Sequence, residues 1–136
     1  MADCLFCKIA SGQVPATKVY EDKSLVAFFD LYPANKGHNL IAPKRHAETL
    51  LDVSEEEAAG VALLSQRVAK AVKKALACDG VNVLNNSGEA AGQLIFHAHV
   101  HVIPRFKGDG LELKWPRRLY DDGEMEAFKK KIAPLV

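Results

Sequence analysis

Short apolar runs broken by polar turns fill the first third of the chain, and a helical rhythm takes over in the middle. Thr17 to Tyr20 and Leu25 to Phe29 are β-prone runs separated by the polar Glu21-Asp22-Lys23, which predicts a hairpin. Gly37 precedes and Pro43 stops a third strand, Asn39 to Ala42, since proline cannot donate to a ladder. Val61, Leu64, Val68, Val72 and Ala75 then follow at spacings of three and four, giving one apolar helical stripe. Ser54 supplies the N-cap hydroxyl, Glu57 closes a capping box, and the acidic side chains of SEEE face the positive helix end. This helix runs to about Cys78, and Asp79-Gly80 ends it. Two further strands are expected at Val81 to Asn85 and Ile95 to Ile103, the second stopped by Pro104, with a short amphipathic helix around Met125 to Ile132. Strands grouped in runs around one long helix predict an α+β fold with an antiparallel meander, not alternating βαβ units.

Composition narrows this picture. A chain of 136 residues, 49% hydrophobic, is the size of one domain, expected to span 1–136. Lys and Arg total 18 against 17 Asp and Glu, so no broad field points to nucleic acid or an acidic membrane, and any phosphate chemistry must be local. The opening MADCLFCKIA lacks the features of a secretory signal, and no apolar run is long enough to cross a bilayer. A cytoplasmic protein is expected. Three cysteines are too sparse for a disulfide framework, and Cys78 reads as a small buried apolar residue.

The chemistry concentrates in histidine. Of five in the chain, His97, His99 and His101 fall within IFHAHVHVIP. On a strand they would share one face and line a cleft, while Phe96, Ala98, Val100 and Val102 pack inward on the other. Alternate residues lie about 6.6 Å apart along a strand, so two imidazoles could meet on one metal ion but three could not easily do so. Such a row suits an extended anion such as a phosphate chain, with one ring attacking and others donating hydrogen bonds. An ordinary half-buried strand with a polar face is the alternative.

The stretch HAHVHVIP resembles the His-φ-His-φ-His-φ-φ signature of the histidine triad family, where φ is apolar. FCKI at Phe6 to Ile9, VPA at Val14 to Ala16, FFDLYPANKGHNLIAPKRH from Phe28 to His46, NNSGEAAGQ from Asn85 to Gln93 and LKWP at Leu113 to Pro116 are similar to segments of that family in the same order. The resemblance implies a nucleotide hydrolase in which His99 attacks an α-phosphorus and forms a nucleotidyl-histidine that water hydrolyses. It implies that His101 and His38 contact the phosphate or the catalytic ring. The carbonyl of His97 would orient His99 by accepting a ring proton, leaving Nε2 free. Asp30 resembles the acceptor for the ribose hydroxyls, Phe6, Ile9, Phe28 and Leu31 the walls around the base, and Asn86 and Gln93 the amides that hold phosphate oxygens or the leaving group. The third histidine is retained at His101, where the transferase branch carries glutamine, so hydrolysis of a phosphoramidate or dinucleoside polyphosphate is favoured. Leu94 departs from the Ser or Thr usual in those branches, which removes a hydroxyl near the leaving group. The family also implies a homodimer with Trp115 at the subunit boundary.

Cys4 and Cys7 have the two-residue spacing of a zinc knuckle. The resemblance supplies the other two ligands, His46 and His97, for a structural zinc ion. A redox pair and two unligated cysteines are the other readings of CxxC. Two rival functions stand beside hydrolysis: a nucleotide-binding regulatory or adaptor protein without turnover, and a zinc-centred structural protein indifferent to His99.

Overall fold

The computed structural model describes residues 3–136. Its strands are β1 (Lys18–Glu21), β2 (Leu25–Phe29), β3 (Asn39–Pro43), β4 (Gly80–Leu84) and β5 (Val100–Arg105), and its helices are α1 (Leu5–Ala10), α2 (Glu55–Leu76) and α3 (Glu124–Ile132). The strands form a five-stranded antiparallel sheet in the order β1-β2-β3-β5-β4. The first three make a meander. The chain then crosses through α2 to the far edge, lays down β4, and returns as β5 between β4 and β3. This is the expected α+β class, with the long helix as the crossover.

Side chains alternate across the sheet and give it two covered faces. Leu25, Ala27, Ile41, Val100 and Val102 pack under Val61, Leu64, Val68 and Val72 of α2, with Cys78 buried among them. Val26, Phe28, Leu40 and Ala42 point the other way, against Phe6 and Ile9 of α1. Coverage on both sides explains why LVAFF and the LIAP of β3 are continuous apolar runs. Leu40 is opposite His101 in the register of β3 and β5, so His101 projects from the α1 face.

The capping box of α2 forms as read: Glu57 N–H donates to Ser54 Oγ (3.1 Å) and Ser54 N–H to Glu57 Oε2 (2.9 Å). Its C-terminus differs. The helix stops at Leu76, Ala77 turns left-handed at φ 50°, and Lys73 Nζ reaches forward to donate to the carbonyls of Cys78 and Asp79.

Two strand boundaries also differ from expectation, for identifiable reasons. Residues 95–99 are not in β5, because Ala98 N–H donates to Ala47 O (2.7 Å), in the loop after β3. Pro104, expected to stop the strand, lies inside it. The β3 ladder has already ended at Val102, β4 alone continues with Val81 opposite Pro104, and Asn35 Nδ2 donates to the Pro104 carbonyl (2.9 Å). Helix α1 was not legible, since six residues are too few to show a period. At the other end, α3 forms near its expected place but buries none of its residues.

Candidate functional site

Between α1, the ends of β2 and β3, and the bend that precedes β5 lies a cavity of about 510 Å³. Phe6, Ile9 and Phe28 form its buried apolar wall. The Phe6 ring meets Phe28 edge-on at 5.2 Å and His99 at 5.1 Å. Val14, Pro15 and Ala16 extend that wall. Leu31 and Leu94 stand on the rim, 81% and 87% exposed, so a ligand would cover apolar surface that the chain leaves open. Asp30, Asn86, His99 and His101 supply polar groups to the same space. An apolar cavity with a few convergent polar groups is the usual form of a small-molecule site.

The three clustered histidines do not form the flat row expected of one strand. Because the chain bends at 95–97, only His101 belongs to β5 and the rings diverge to different tasks. The His99 ring donates Nδ1–H to the carbonyl of His97 (2.6 Å), which leaves the Nε2 lone pair free. Burial holds His99 below the usual imidazole range, against the opposing pull of the His97 carbonyl and of Asp30. His101 is pushed down to about 4, first by burial and then by His99 and His38. Its Nδ1 lies 2.9 Å from His38 Nε2, and burial lowers His38 as well. At neutral pH these rings are uncharged. Phe96, expected to pack inward, is 46% exposed, again because of the bend.

His97 faces away from the cavity and is fully buried. Its Nε2–H donates to Pro43 O (2.7 Å), so Nδ1 presents a lone pair to Cys4 Sγ at 3.4 Å and Cys7 Sγ at 3.5 Å. His46 Nδ1 is 3.4 Å from Cys7 Sγ, and the four ligand atoms lie within 4.8 Å of one another. Ordinary zinc–sulfur and zinc–nitrogen bonds in a tetrahedron give a sulfur-to-nitrogen separation of ~3.6 Å, close to these values. The donor set therefore fits zinc. Burial, followed by neighbouring Cys4, raises the Cys7 thiol above its ordinary range, a bias that a bound cation would reverse.

Two expected residues sit differently from the rest. Asp30 reaches the cavity, but its Oδ1 also accepts from Tyr32 N–H (2.9 Å) in a local turn. Gln93 does not line the cavity. Its Oε1 accepts from Gly88 N–H (2.7 Å), and its Nε2 donates to Glu48 O (2.6 Å) and Ile95 O (3.1 Å), so it pins the loop that carries Asn86 and Leu94. Sequence reasoning missed Asn85, whose Nδ2 donates to the His99 carbonyl (2.8 Å). It also missed the carbonyl of Pro43. The doubled Asn85-Asn86 was a signal for the first; nothing local marks a backbone acceptor.

A family model described as HIT domain matches residues 11–108. The solved structure of a HIT family member from Bacillus subtilis superposes with a TM-score of 0.91 at 38% identity, covering 98% of this chain and 97% of that one. A zinc-bound histidine triad family protein from Mycobacterium smegmatis superposes with a TM-score of 0.77 at 38% identity, covering 98% and 96%. The curated relative adenylylsulfatase HINT3 of Arabidopsis thaliana is 42% identical over 109 residues, which span 80% of this chain and 55% of that protein.

Proposed function

The chain belongs to the histidine triad (HIT) family, and from that premise we propose that it hydrolyses nucleotide conjugates, releasing a nucleoside monophosphate. The observation that carries this reading is the 2.6 Å bond from His99 Nδ1 to the His97 carbonyl, which leaves a neutral Nε2 lone pair beside the cavity. His99 attacks the α-phosphorus through that lone pair, the bond to the leaving group breaks as the departing group takes a proton from solvent, and a second water then cleaves the phosphorus–nitrogen bond, returning His99 to its neutral form and releasing the monophosphate. The phosphate lies between His99 and His101, with His38 behind His101 and His97 acting only through its carbonyl and its place in the Cys/His cluster. The base packs between Phe6, Ile9, Phe28 and Leu31. Asp30 accepts from the ribose hydroxyls, and Asn86 holds phosphate or leaving-group oxygens. Gln93 acts at one remove, as the clamp of the loop.

Zinc would be held by Cys4, Cys7, His46 and His97. With four protein ligands it supplies structural closure and leaves no open position for substrate. The Pro43 carbonyl fixes the His97 tautomer that such binding needs. Three free thiols suit a reducing compartment such as the cytoplasm. Among the described residues, no helix is long and apolar enough to cross a membrane.

A homodimer completes the reading. Trp115 is 79% exposed, and Phe128 and Ile132 of α3 stay 44% and 57% exposed although Phe128 meets Tyr120 edge-on; an apolar helical stripe of this kind is normally buried.

The deciding experiment is a panel of adenylyl and guanylyl conjugates, including phosphoramidates, dinucleoside polyphosphates and adenylyl sulfate, assayed by mass detection of the released monophosphate. Adenylyl sulfate belongs there because of the adenylylsulfatase relative. Turnover of any member supports hydrolysis. Binding of the monophosphate without release from any conjugate would favour a regulatory or adaptor role.

A further inference from the structure

The loop between β2 and β3 makes a contact that the reaction scheme above does not use. Asn35 O accepts from His38 N–H (3.0 Å), and Asn35 Nδ2 donates to Pro104 O and to Asp109 Oδ2, both at 2.9 Å. The turn is thus fastened to the end of β5 and to the segment after it. Held in this way, the backbone N–H of Ala34 donates to His38 Nδ1 at 3.1 Å.

We infer that the Ala34 amide is a positioning group, which fixes the tautomers of His38 and His101 so that His101 meets its ligand as a neutral Nε2–H donor. An amide N–H can only donate, so His38 Nδ1 must be the acceptor and the His38 ring proton resides on Nε2. That proton faces His101 Nδ1 across 2.9 Å. His101 Nδ1 is then also an acceptor, and the His101 ring proton resides on Nε2. The chain of donation runs one way, from backbone to His38 to His101. On the neighbouring ring, 4.8 Å away between centroids, the His97 carbonyl imposes the opposite tautomer on His99. Two adjacent imidazoles are therefore set as a lone pair and a donor by two backbone groups from different parts of the chain.

This assignment limits what His101 can do. A neutral imidazole is far too weak an acid to release its Nε2 proton to a leaving group, and replacing that proton from His38 would leave an imidazolate against an amide that cannot give one up. His101 stabilises developing negative charge by hydrogen bonding and does not protonate. The approach of Asp30 to the pair, 3.8 Å from Oδ2 to His38 Nδ1, is too long for a hydrogen bond and does not compete with the Ala34 amide. That the donor faces a phosphate oxygen rests on the proposed function; the tautomers do not.

Long-range proton–nitrogen correlation spectra of the full chain labelled with nitrogen-15 histidine at pH 7.5 read the tautomers directly. The expected pattern is Nε2–H for His38 and His101 and Nδ1–H for His99. Adding adenosine 5′-monophosphate should move the His101 Hε2 resonance downfield without changing its tautomer. Ala34→Gly keeps the N–H and should keep the pattern, whereas Ala34→Pro removes it and should give mixed tautomers at His38 and His101. If Ala34→Pro does not fold, the wild-type spectrum decides alone. Nδ1–H on His38, or a doubly protonated His101 in the complex, overturns the inference whatever the turnover. The expected tautomers in a protein that releases no monophosphate would instead overturn hydrolysis and leave this inference standing.

Discussion

The ring of His99 is anchored to the backbone of His97 at 2.6 Å, while the ring of His97 lies within 3.5 Å of the sulfurs of Cys4 and Cys7. One residue therefore links the candidate nucleophile to the candidate metal cluster, by its carbonyl on one side and its imidazole on the other. A group held in this way orients a functional side chain without touching substrate.

Loss of the cluster should be felt at His99. Cys7→Ser is expected to lower bound zinc from one per chain toward none, to lower the melting temperature, and to reduce kcat more than it raises KM. Elemental analysis, thermal unfolding and steady-state kinetics check the three parts. A zinc-free wild type with a melting temperature indifferent to chelators would remove the metal assignment.

Gly37 has φ +100° and permits the turn that presents His38. A Cβ there would overlap Leu76 Cδ1 and crowd Pro104 Cγ at 3.3 Å. Gly37→Ala should destabilise by about 1–3 kcal/mol from backbone strain and crowding, measured by urea unfolding, and should lower turnover by displacing His38.

Stability should fall on acidification in two windows. His101 has its folded pKa depressed from 6.5 to about 4. Between those values the unfolded chain takes up a proton that the folded chain refuses, so stability is present above 6.5 and falls as pH drops toward 4. Glu57 is lowered from 4.5 to about 2, first by Arg45 and then by the Ser54 N–H; its contribution is present above 4.5 and lost as pH falls through 2. Denaturant titrations at stepped pH should show His101→Gln flattening the first window and Glu57→Gln the second. An unchanged slope between pH 6.5 and 4 in His101→Gln would contradict the burial of that ring as a neutral group.

Much of the fold was legible because its periodicities are strong. Ser54 with Glu57 announces the start of α2, the stripe from Val61 to Val72 gives its buried face, and the polar Glu21-Asp22-Lys23 between two β-prone runs marks the hairpin of β1 and β2. The misreadings have local causes. A histidine at every second position mimics a strand, but period two does not reveal that Ala98 bonds to Ala47 in a distant loop. Pro43 does close β3, whereas Pro104 lies inside β5, because a sequence does not show where a neighbouring ladder ends. Cys4, Cys7, His46 and His97 do converge, and the spacing of two residues explains only the first pair. Gln93 and Asn85 exchanged importance because an amide's partners are set by tertiary contacts that no spacing encodes.

Assembly is tested by Trp115. Sedimentation of the wild type at micromolar concentration should give a dimer, and Trp115→Ala should shift the equilibrium toward monomer by removing a large aromatic anchor. A monomeric wild type would contradict this.

The covalent role of His99 is tested most directly by trapping. Wild type mixed with a labelled adenylyl conjugate and quenched at high pH, where a phosphorus–nitrogen bond to histidine survives, should carry one adenylyl group on His99 alone by peptide mass analysis. His99→Asn should bind adenosine 5′-monophosphate yet carry no label and lose turnover. Turnover by His99→Asn at the wild-type rate, or label on another residue, would contradict the mechanism.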